Sequence, residues 1–119
     1  MVLAFVDLDG LKATNDSLGH AAGDQLLRRT VERIRTQVRS YDLVVRFGGD
    51  EFVCLLLDLD TSEAAKRFEA IKLDLEESEH GSITFGLTGL RLEEEDSLED
   101  LMARADEAMY REREQRPPA

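Results

Sequence analysis

The order of apolar and polar positions along the chain predicts alternating strands and helices. Residues Val2 to Leu8 are almost continuously apolar, which is typical of a strand that is buried on both faces. Apolar runs at Leu43 to Val45 and at Phe52 to Leu57, and an alternating segment from Gly81 to Leu90, predict three further strands. In the remaining segments apolar residues recur at helical spacing, so we expect helices between the strands.

Four helices are predicted. A short helix and turn covers Lys12 to His20, and a longer helix runs from about Ala22 to Arg39. A third helix begins at Thr61-Ser62, and the last begins with the capping-box pattern Ser97-Leu98-Glu99-Asp100. The predicted buried stripes are Leu27, Val31, Ile34 and Val38; Ala65, Phe68, Ile71 and Leu75; and Leu98, Leu101, Ala105 and Met109. The order β-α-α-β-β-α-β-α predicts an α+β fold, a ferredoxin-like or polymerase-palm-like sheet with a central antiparallel hairpin, flanked by helices.

The stretch Arg46-Phe47-Gly48-Gly49-Asp50-Glu51-Phe52 lies between the second and third strands. Two glycines between apolar runs predict a tight β-hairpin, since only glycine takes a positive φ without a steric cost. A hairpin does not need two carboxylates directly after its turn, where a strand prefers β-branched or aromatic side chains. Asp50 and Glu51 are therefore candidates for chemistry at the tip, although a solvated acidic turn explains this stretch when it is taken alone.

Two more carboxylates, Asp7 and Asp9, end the first strand just before Gly10. Strand periodicity places them on one side of the strand end, and in the predicted sheet this end can lie beside the hairpin tip, so that the four carboxylates converge. Clustered carboxylates repel one another unless protons or metal ions come between them. Mg²⁺ favours one or two carboxylates plus substrate phosphates, and paired ions stabilise both oxygens of a phosphoryl transfer. The residues alone favour metal-assisted nucleotidyl transfer, and an EF-hand loop is a poor match because Leu11 stands where that loop needs an oxygen ligand.

The composition narrows the classes of function. The chain has 119 residues, of which 42% are hydrophobic and 34% charged, as expected of one globular domain. A formal net charge of −11 and the lack of a basic stripe argue against nucleic-acid binding. No apolar run approaches membrane-spanning length, so we expect no membrane segment. The single Cys54 excludes an internal disulfide and fits a reduced, cytoplasmic location.

The chain resembles the GGDEF family, which comprises the diguanylate cyclases. The motifs that carry the resemblance cover almost the whole chain in family order: Val6-Asp7-Leu8-Asp9-Gly10-Leu11-Lys12, Asn15-Asp16, Gly19-His20, Gly23-Asp24, Arg46 to Phe52, and Ala105-Asp106-Glu107-Ala108-Met109-Tyr110. The resemblance implies an enzyme that uses Mg²⁺ (or Mn²⁺) to condense two GTP into cyclic di-GMP with release of pyrophosphate. It also implies inhibition by the product and a transient homodimer in which the reaction takes place.

The resemblance further implies roles for single residues. Asp7 and Asp50 would hold the metal ions together with the backbone carbonyl of Leu8, and Glu51 would lie beside the reacting ribose and help to activate its 3′-hydroxyl. The residues implied in substrate binding are Asn15 and Asp24 at the guanine edge, Lys12 and Arg113 at the phosphates, and Gly48 and Gly49, which let the backbone approach the nucleotide. An acidic residue in the first turn of a helix is a structural alternative for Asp24, because it suits the helix dipole.

A second site is implied by Arg39-Ser40-Tyr41-Asp42, which resembles the R-x-x-D inhibitory site of the family. There Arg39 and Asp42 would bind the product cyclic di-GMP, since an arginine can fork onto a phosphate or guanine and an aspartate can pair with a base edge. The pattern alone is common, and an arginine in a last helical turn is also explained by the dipole. The spacing between this pattern and the Gly48-Gly49-Asp50-Glu51-Phe52 motif favours the inhibitory site.

The chain also departs from the family pattern. The resemblance implies one GGDEF domain over residues 1–119 that is shortened, because the family's first helix and its D-x-L-T-G-L-x-N-R segment are absent. The connection from Leu75 to Gly81 is short, and Arg113 stands where the family's last helix has a phosphate-binding lysine. Two hypotheses follow: an active diguanylate cyclase, or a catalytically silent module that binds GTP or cyclic di-GMP in regulation. A third possibility is a ferredoxin-like protein without a nucleotide function. In that case the presence of all these motifs in family order would be a coincidence.

Overall fold

A computed structural model describes residues 1–78, 81–89 and 97–114, with only the backbone described at 98, 101, 105, 109, 112 and 113. The elements are β1 (Val2–Asp9), α1 (Leu11–Leu18), α2 (His20–Gln37), β2 (Leu43–Arg46), β3 (Glu51–Leu56), α3 (Thr61–Glu77), β4 (Ser82–Gly89) and α4 (Leu98–Glu114). The predicted order of strands and helices is confirmed. No helix in these ranges combines the length and the apolar character that crossing a membrane requires.

The strands form one sheet of four strands in the order β2-β3-β1-β4. All neighbouring strands are antiparallel, so β1 lies between β3 and β4 at the centre of the sheet. In this register Asp7 of β1 faces Glu51 of β3 on one side and Thr84 of β4 on the other. The predicted α+β fold is confirmed, and the central position of β1 places its last residues beside the β2–β3 hairpin.

One face of the sheet, here called the apolar face, is hydrophobic along its whole length. On β1 it carries Val2, Ala4, Val6 and Leu8, which are each at most 1% exposed. Helices α2 and α3 cover it, with Ile34 and Phe68 fully buried. The ring of Phe68 packs on that of Phe85 with 5.5 Å between their centroids. Burial of one such side chain stabilises the fold by about 1.5–3 kcal/mol, so this face supplies most of the core.

The opposite face, here called the mixed face, changes character along β1. Leu3 and Phe5 are buried and pack with Val53, Leu55 and Met102, the last of which belongs to α4. The next side chains on this face are those of Asp7 and Asp9, and Glu51 lies opposite Asp7. We call these three carboxylates the acidic end of the mixed face.

The boundary between α1 and α2 differs from the prediction. Helix α2 begins at His20 rather than near Ala22, because Gly19 with φ 90° ends α1 and directly starts α2. Asp24 therefore lies beyond the first turn of α2, where the effect of the helix dipole has fallen off, so the dipole does not explain it. The helix ends at Gln37 because Val38 is extended.

The predicted helix stripes are right in most positions. In α2, Ile34 is buried and the other stripe residues are partly buried against the core. In α3, Phe68, Ile71 and Leu75 are buried as predicted, but Ala64 takes the place of Ala65 because the helical repeat places 64 on the core side. The stripe predicted for α4, Leu98, Leu101, Ala105 and Met109, lies outside the described side chains.

In the second half of the chain, the start of α4 agrees with the prediction and the burial of β4 does not. The capping box at α4 is confirmed, since the Asp100 N–H donates to Ser97 Oγ at 3.2 Å and the Ser97 N–H donates to Asp100 Oδ2 at 3.0 Å. The bond from the Ser97 N–H to the carboxylate, together with the Ser97 hydroxyl, lowers the pKa of Asp100. The strand predicted as half-buried is instead covered on both faces from Ile83 to Gly86, because α4 packs on the mixed face of β4 and β1.

Candidate active site

Backbone pairing joins the acidic end of β1 to the hairpin loop. Asp7 pairs with Glu51 in the β1–β3 register, and the Leu8 N–H donates to the carbonyl oxygen of Asp50 at 2.8 Å. A backbone hydrogen bond of this length holds the Asp50 peptide directly beside the end of β1. The structure therefore brings together the residues predicted to bind metal and to act in catalysis: Asp7, Leu8, Asp50 and Glu51.

Asp7 is the most buried of these carboxylates, with 6% of the residue exposed. Asp50 and Glu51 are partly buried beside it. Burial and neighbouring like charge both raise the free energy of an ionised carboxylate, and a cation bound between the carboxylates lowers it. The arrangement thus favours a positively charged ligand at the acidic end.

The donor set can be tested for its fit to a metal ion. Among residues 1–78, 81–89 and the described part of α4, no three His, Cys, Asp or Glu side chains converge closely enough to hold an ion by themselves. Two carboxylates, Asp7 and Asp50, together with the Leu8 carbonyl are nevertheless the kind of partial set that Mg²⁺ takes, because Mg²⁺ keeps waters and uses substrate phosphates as further ligands. The residues fit an ion whose coordination is completed by substrate.

Asp9 has a different environment from Asp7. The hydroxyl of Thr84 donates to both carboxylate oxygens of Asp9, at 3.0 and 3.2 Å, and Thr84 is fully buried. The expected convergence of the four carboxylates stays a prediction for Asp9, whose carboxylate accepts this bond from β4. This contact was not predicted, since Thr84 stands between core residues on the face of the strand that was expected to be solvated.

The hairpin loop is longer than the tight turn that the two glycines predicted. It has four residues, Phe47 to Asp50, and the N–H groups of Phe47 and Gly48 donate to the carbonyl of Glu51 at 2.8 and 3.3 Å. The described glycines with a positive φ are Gly10, Gly19 and Gly81. The expected positive φ in the loop is thus wrong. A Cβ on Gly48 would lie 3.3 Å from Oε2 of Glu51, so that position is already crowded. A Cβ on Gly49 would meet no atom within 4 Å, so a ligand can approach the backbone there.

Arg46 supports this loop from within the hairpin. Its Nε donates to the carbonyl of Gly48 at 3.1 Å, and its Nη2 donates to the carbonyl of Gly49 at 2.7 Å. Both bonds are charge-assisted, and the fork of the guanidinium fixes two successive peptides at once. Arg46 belongs to the motif of the hairpin, but the spacing of the motif predicts no such role for it.

A cleft of about 290 Å³ lies between α1, the start of α2 and the hairpin loop. It is lined by Leu11, Lys12, Asn15, Asp16, His20, Gly49 and Asp50. Lys12, Asn15 and Gly49, three of the predicted substrate-binding residues, thus share one cleft with the metal-binding candidate Asp50. Gly10, with φ 76°, makes the turn from β1 into α1 that places these side chains beside the loop.

Two further predicted substrate-binding residues lie elsewhere. Asp24 is exposed in the second turn of α2 and does not line the cleft, although its neighbour Gly23 packs against the side chain of Asn15. Arg113 belongs to α4, and its side chain lies outside the described residues. The expected pairing of Asn15 with Asp24 across a base therefore stays a prediction.

Asp42 lies at the other end of the sheet. Its carboxylate accepts the Leu57 N–H at 3.0 Å and the Arg39 N–H at 2.8 Å, and only 8% of the residue is exposed. Leu57 directly follows β3 and is six residues beyond Glu51, which corresponds to about 20 Å of extended chain. Asp42 thus joins the α2–β2 connection to the end of β3, a structural role that sequence analysis did not foresee.

The guanidinium of Arg39 lies in an exposed polar cluster next to Asp42. Arg39 Nη1 donates to the Tyr41 hydroxyl at 2.6 Å and lies 3.8 Å from Asp58 Oδ2, while the Tyr41 hydroxyl donates to the same Asp58 oxygen at 3.1 Å. The hydrogen bond with Tyr41 and the nearby negative charges raise the pKa of Arg39. With 43% of its side chain exposed, this cation is accessible to an anionic ligand.

Comparison with known proteins identifies relatives over most of the chain. The sequence profile of the family described as "Diguanylate cyclase, GGDEF domain" matches residues 1–117. The bifunctional diguanylate cyclase/cyclic di-GMP phosphodiesterase MucR of Pseudomonas aeruginosa is 40% identical over 117 residues, which cover 93% of this chain. The chain spans only 17% of the length of MucR.

Solved structures of similar sequence have the same fold. The GGDEF domain of TpbB (YfiN) from Pseudomonas aeruginosa matches with a TM-score of 0.82 at 37% identity, covering 97% of this chain and 72% of that one. The GGDEF domain of DgcB from Caulobacter crescentus, solved in complex with c-di-GMP, matches with a TM-score of 0.83 at 27% identity, covering 95% of this chain and 71% of that one. Both similarities agree with the four-stranded antiparallel sheet and its flanking helices.

Proposed function

We propose that this chain, which belongs to the GGDEF domain family of diguanylate cyclases, condenses two molecules of GTP into cyclic di-GMP and releases pyrophosphate. One observation carries the proposal. The Leu8–Asp50 hydrogen bond places the acidic end next to a cleft that contains Lys12 and Asn15. A triphosphate in this cleft would have carboxylates, a cation and an open loop backbone within reach.

The chain's own residues would bind and orient the nucleotide. Asn15 offers both a donor and an acceptor for the guanine edge, and Asp24 on α2 can supply a carboxylate to its N1–H and amine. Lys12 would neutralise phosphate charge, and the open backbone at Gly49 would let the phosphates come close. We assign Arg113 to the phosphates as well, on the resemblance of the last helix.

Asp7, Asp50 and the Leu8 carbonyl would hold Mg²⁺ (or Mn²⁺), which when bound supplies charge stabilisation to the phosphoryl transfer. Glu51, opposite Asp7 in the sheet, would accept the proton of the 3′-hydroxyl. The 3′-oxygen then bonds to the α-phosphorus of the second GTP as the bond to pyrophosphate breaks. Because each GTP supplies one hydroxyl and one phosphate, two chains in a transient two-fold dimer can apply the same geometry twice.

Turnover of GTP tests the proposal directly. The chain is incubated at high concentration with GTP and Mg²⁺, and the products are separated by chromatography. We expect cyclic di-GMP and pyrophosphate, no product from Asp50→Ala, and unchanged turnover in the control Glu69→Ala, which removes an exposed carboxylate on α3. Product from Asp50→Ala at the wild-type rate would overturn the metal assignment, and no product from the wild-type chain would overturn the cyclase function.

We further propose that the product inhibits the enzyme at Arg39 and Asp42. Arg39 is the exposed member of the pair and would contact the phosphates or guanine, while the buried Asp42 fixes the Arg39 backbone. The DgcB domain solved with c-di-GMP supports the choice of ligand. Arg39→Ala is expected to relieve inhibition and to leave the initial rate unchanged, whereas Arg28→Ala, an exposed arginine on α2, should leave inhibition as it is. Equal inhibition of wild type and Arg39→Ala would remove this site.

A second candidate function is a silent module that binds cyclic di-GMP or GTP without turnover. The exposed Arg39 cluster favours this function. It lies at the far end of β3 from the acidic end, so it could bind a ligand without any reaction at the acidic end. Binding of cyclic di-GMP in a titration together with an absence of product would select this function. For either function we propose a cytoplasmic location, where GTP is available and where the buried, free Cys54 stays reduced.

A further inference from the structure

Gly23 and the side chain of Asn15 lie closer together than a Cβ at position 23 would allow unless that side chain moved. Gly23 is buried in α2, and a Cβ built on it would lie 1.8 Å from Oδ1 and 2.8 Å from Cγ of Asn15. Such distances are far inside van der Waals contact. The side-chain amide of Asn15 therefore rests directly on the backbone of α2, in space that only glycine leaves open.

Backbone conformation does not explain a glycine at this position. Gly23 lies inside α2 and is not among the described glycines with a positive φ. Glycine is among the least favourable residues in a helix interior, so local propensity would select almost any other residue. The close approach of the Asn15 side chain is the feature of the structure that a glycine here accommodates.

Asn15 is fixed at its backbone as well. Its carbonyl accepts the Gly19 N–H at 2.9 Å, and the Gly19 carbonyl accepts the Gly23 N–H at 3.3 Å. The chain from Asn15 to Gly23 thus folds back on itself, with the Asn15 amide between the two helices at the wall of the cleft. When a Cβ is added at 23, the end of a flexible side chain gives way before the helices do.

We propose that Gly23 is a positioning residue that seats the amide of Asn15 for contact with the guanine base. This inference rests on the proposed function, in which Asn15 reads the base edge. It assigns Gly23 an effect on nucleotide affinity that acts through Asn15 and not through the stability of α2. A misplaced amide loses a hydrogen bond to the base, while the acidic end and its chemistry stay intact.

A double-mutant cycle tests the inference. The variants are Gly23→Ala, Asn15→Ala and the double substitution, and the measured quantities are the dissociation constant of GTP, kcat at saturating GTP and the thermal midpoint. Ala21→Gly serves as the matched control, because it changes helix propensity in the opposite direction at an exposed neighbouring position. The side-chain amide resonances of Asn15 in the wild type and in Gly23→Ala give a readout that needs no nucleotide.

We expect Gly23→Ala to weaken GTP binding about tenfold, as the loss of one hydrogen bond does, with kcat within about twofold of the wild type. Asn15→Ala should weaken binding by a similar factor, and the double variant should bind no more weakly than Asn15→Ala alone. The thermal midpoint of Gly23→Ala should not fall, and the Asn15 amide resonances should move. Ala21→Gly should bind GTP as the wild type does.

The outcomes separate this inference from the proposed function. If the wild-type chain binds no GTP, or if Asn15→Ala binds it unchanged, the proposed role of Asn15 fails and the role of Gly23 with it. If Asn15→Ala binds weakly and Gly23→Ala binds like the wild type, only the role of Gly23 is wrong. A further loss on adding Gly23→Ala to Asn15→Ala would also overturn it, because Gly23 would then act through the helix.

Discussion

The two faces of β1 differ although their residues alternate one by one along the same strand. On the apolar face the side chains are hydrophobic to the end of the strand, and α2 and α3 cover them. On the mixed face the change from Phe5 to Asp7 replaces a buried ring by a carboxylate. One central strand therefore contributes to the core with one face and forms the candidate active site with the end of the other.

The difference separates stability from chemistry. Hydrophobic burial on the apolar face stabilises the folded state. At the acidic end, Asp7 and Glu51 face each other across β1 and β3, and we expect their like charges to oppose folding in the absence of a cation. Substitutions on the two faces should therefore affect different properties of the protein. On the apolar face they should lower the free energy of unfolding, and at the acidic end they should lower activity without lowering stability.

The largest effect is expected for Asp7→Asn. Loss of one metal-binding carboxylate should lower kcat by a thousandfold or more, roughly 4 kcal/mol of transition-state stabilisation. The free energy of unfolding without metal should stay equal or rise, because a repulsive charge is removed. Steady-state kinetics and urea unfolding measure the two quantities. A large loss of stability with kcat preserved in the folded fraction would contradict the assignment of Asp7 to the site.

Phe68→Ala tests the apolar face in the same way. Phe68 is fully buried against Phe85, so its truncation should lower the free energy of unfolding by about 3–5 kcal/mol. In the fraction that stays folded, kcat should change little. Leu73→Ala on the same helix is the matched control, since Leu73 is 53% exposed and should cost less than about 1 kcal/mol. Similar losses for the two variants would show that α3 does not cover the core as described.

Arg46→Lys is expected to have a moderate effect on activity. Lysine keeps the charge but cannot donate to the carbonyls of Gly48 and Gly49 with one planar fork. The loop that carries Asp50 should then be less well ordered, and kcat/KM should fall about tenfold, as expected from about 1.4 kcal/mol. Unfolding in urea should change by less than about 1 kcal/mol. A variant with wild-type kcat/KM would show that the loop does not depend on Arg46.

The smallest effect concerns Cys54 on the apolar face. Burial, with a smaller contribution from Asp42, raises the pKa of the Cys54 thiol from 9.0 to about 12. The unfolded chain loses this proton near pH 9 while the folded chain keeps it, so stability is complete below pH 9 and falls as the pH rises toward 12. The wild type should lose about 1 kcal/mol more than Cys54→Ala between pH 9 and 10 in urea unfolding. Equal pH slopes would contradict the burial of the thiol.

Sequence reasoning was most successful where one periodicity controls the structure. The capping box at Ser97 and the buried residues of α3 follow from local spacing, and the pairing of β1 with the hairpin follows from the element order. These features depend on short-range chemistry or on a small set of possible topologies. The family motifs then pointed to the residues that line the cleft.

The features that were missed depend on contacts between distant residues. Thr84 and Asp9 meet only because β4 pairs with β1, and Asp42 is buried only because Leu57 lies against the α2–β2 connection. The loop glycines were assigned a positive φ from a turn rule, but the longer loop held by Arg46 does not use one. Spacing along the chain carries no information on such long-range hydrogen bonds.

The hydrogen bond from Leu8 to Asp50 has a consequence for kinetics. It makes the two halves of the acidic end parts of one continuous sheet, so the amide proton of Leu8 should exchange with solvent no faster than those of the core strands. The two strands of the site are therefore already paired within each single chain. If two chains must meet for each reaction, encounter limits the rate, and in dilute solution the initial velocity should rise with the square of the protein concentration.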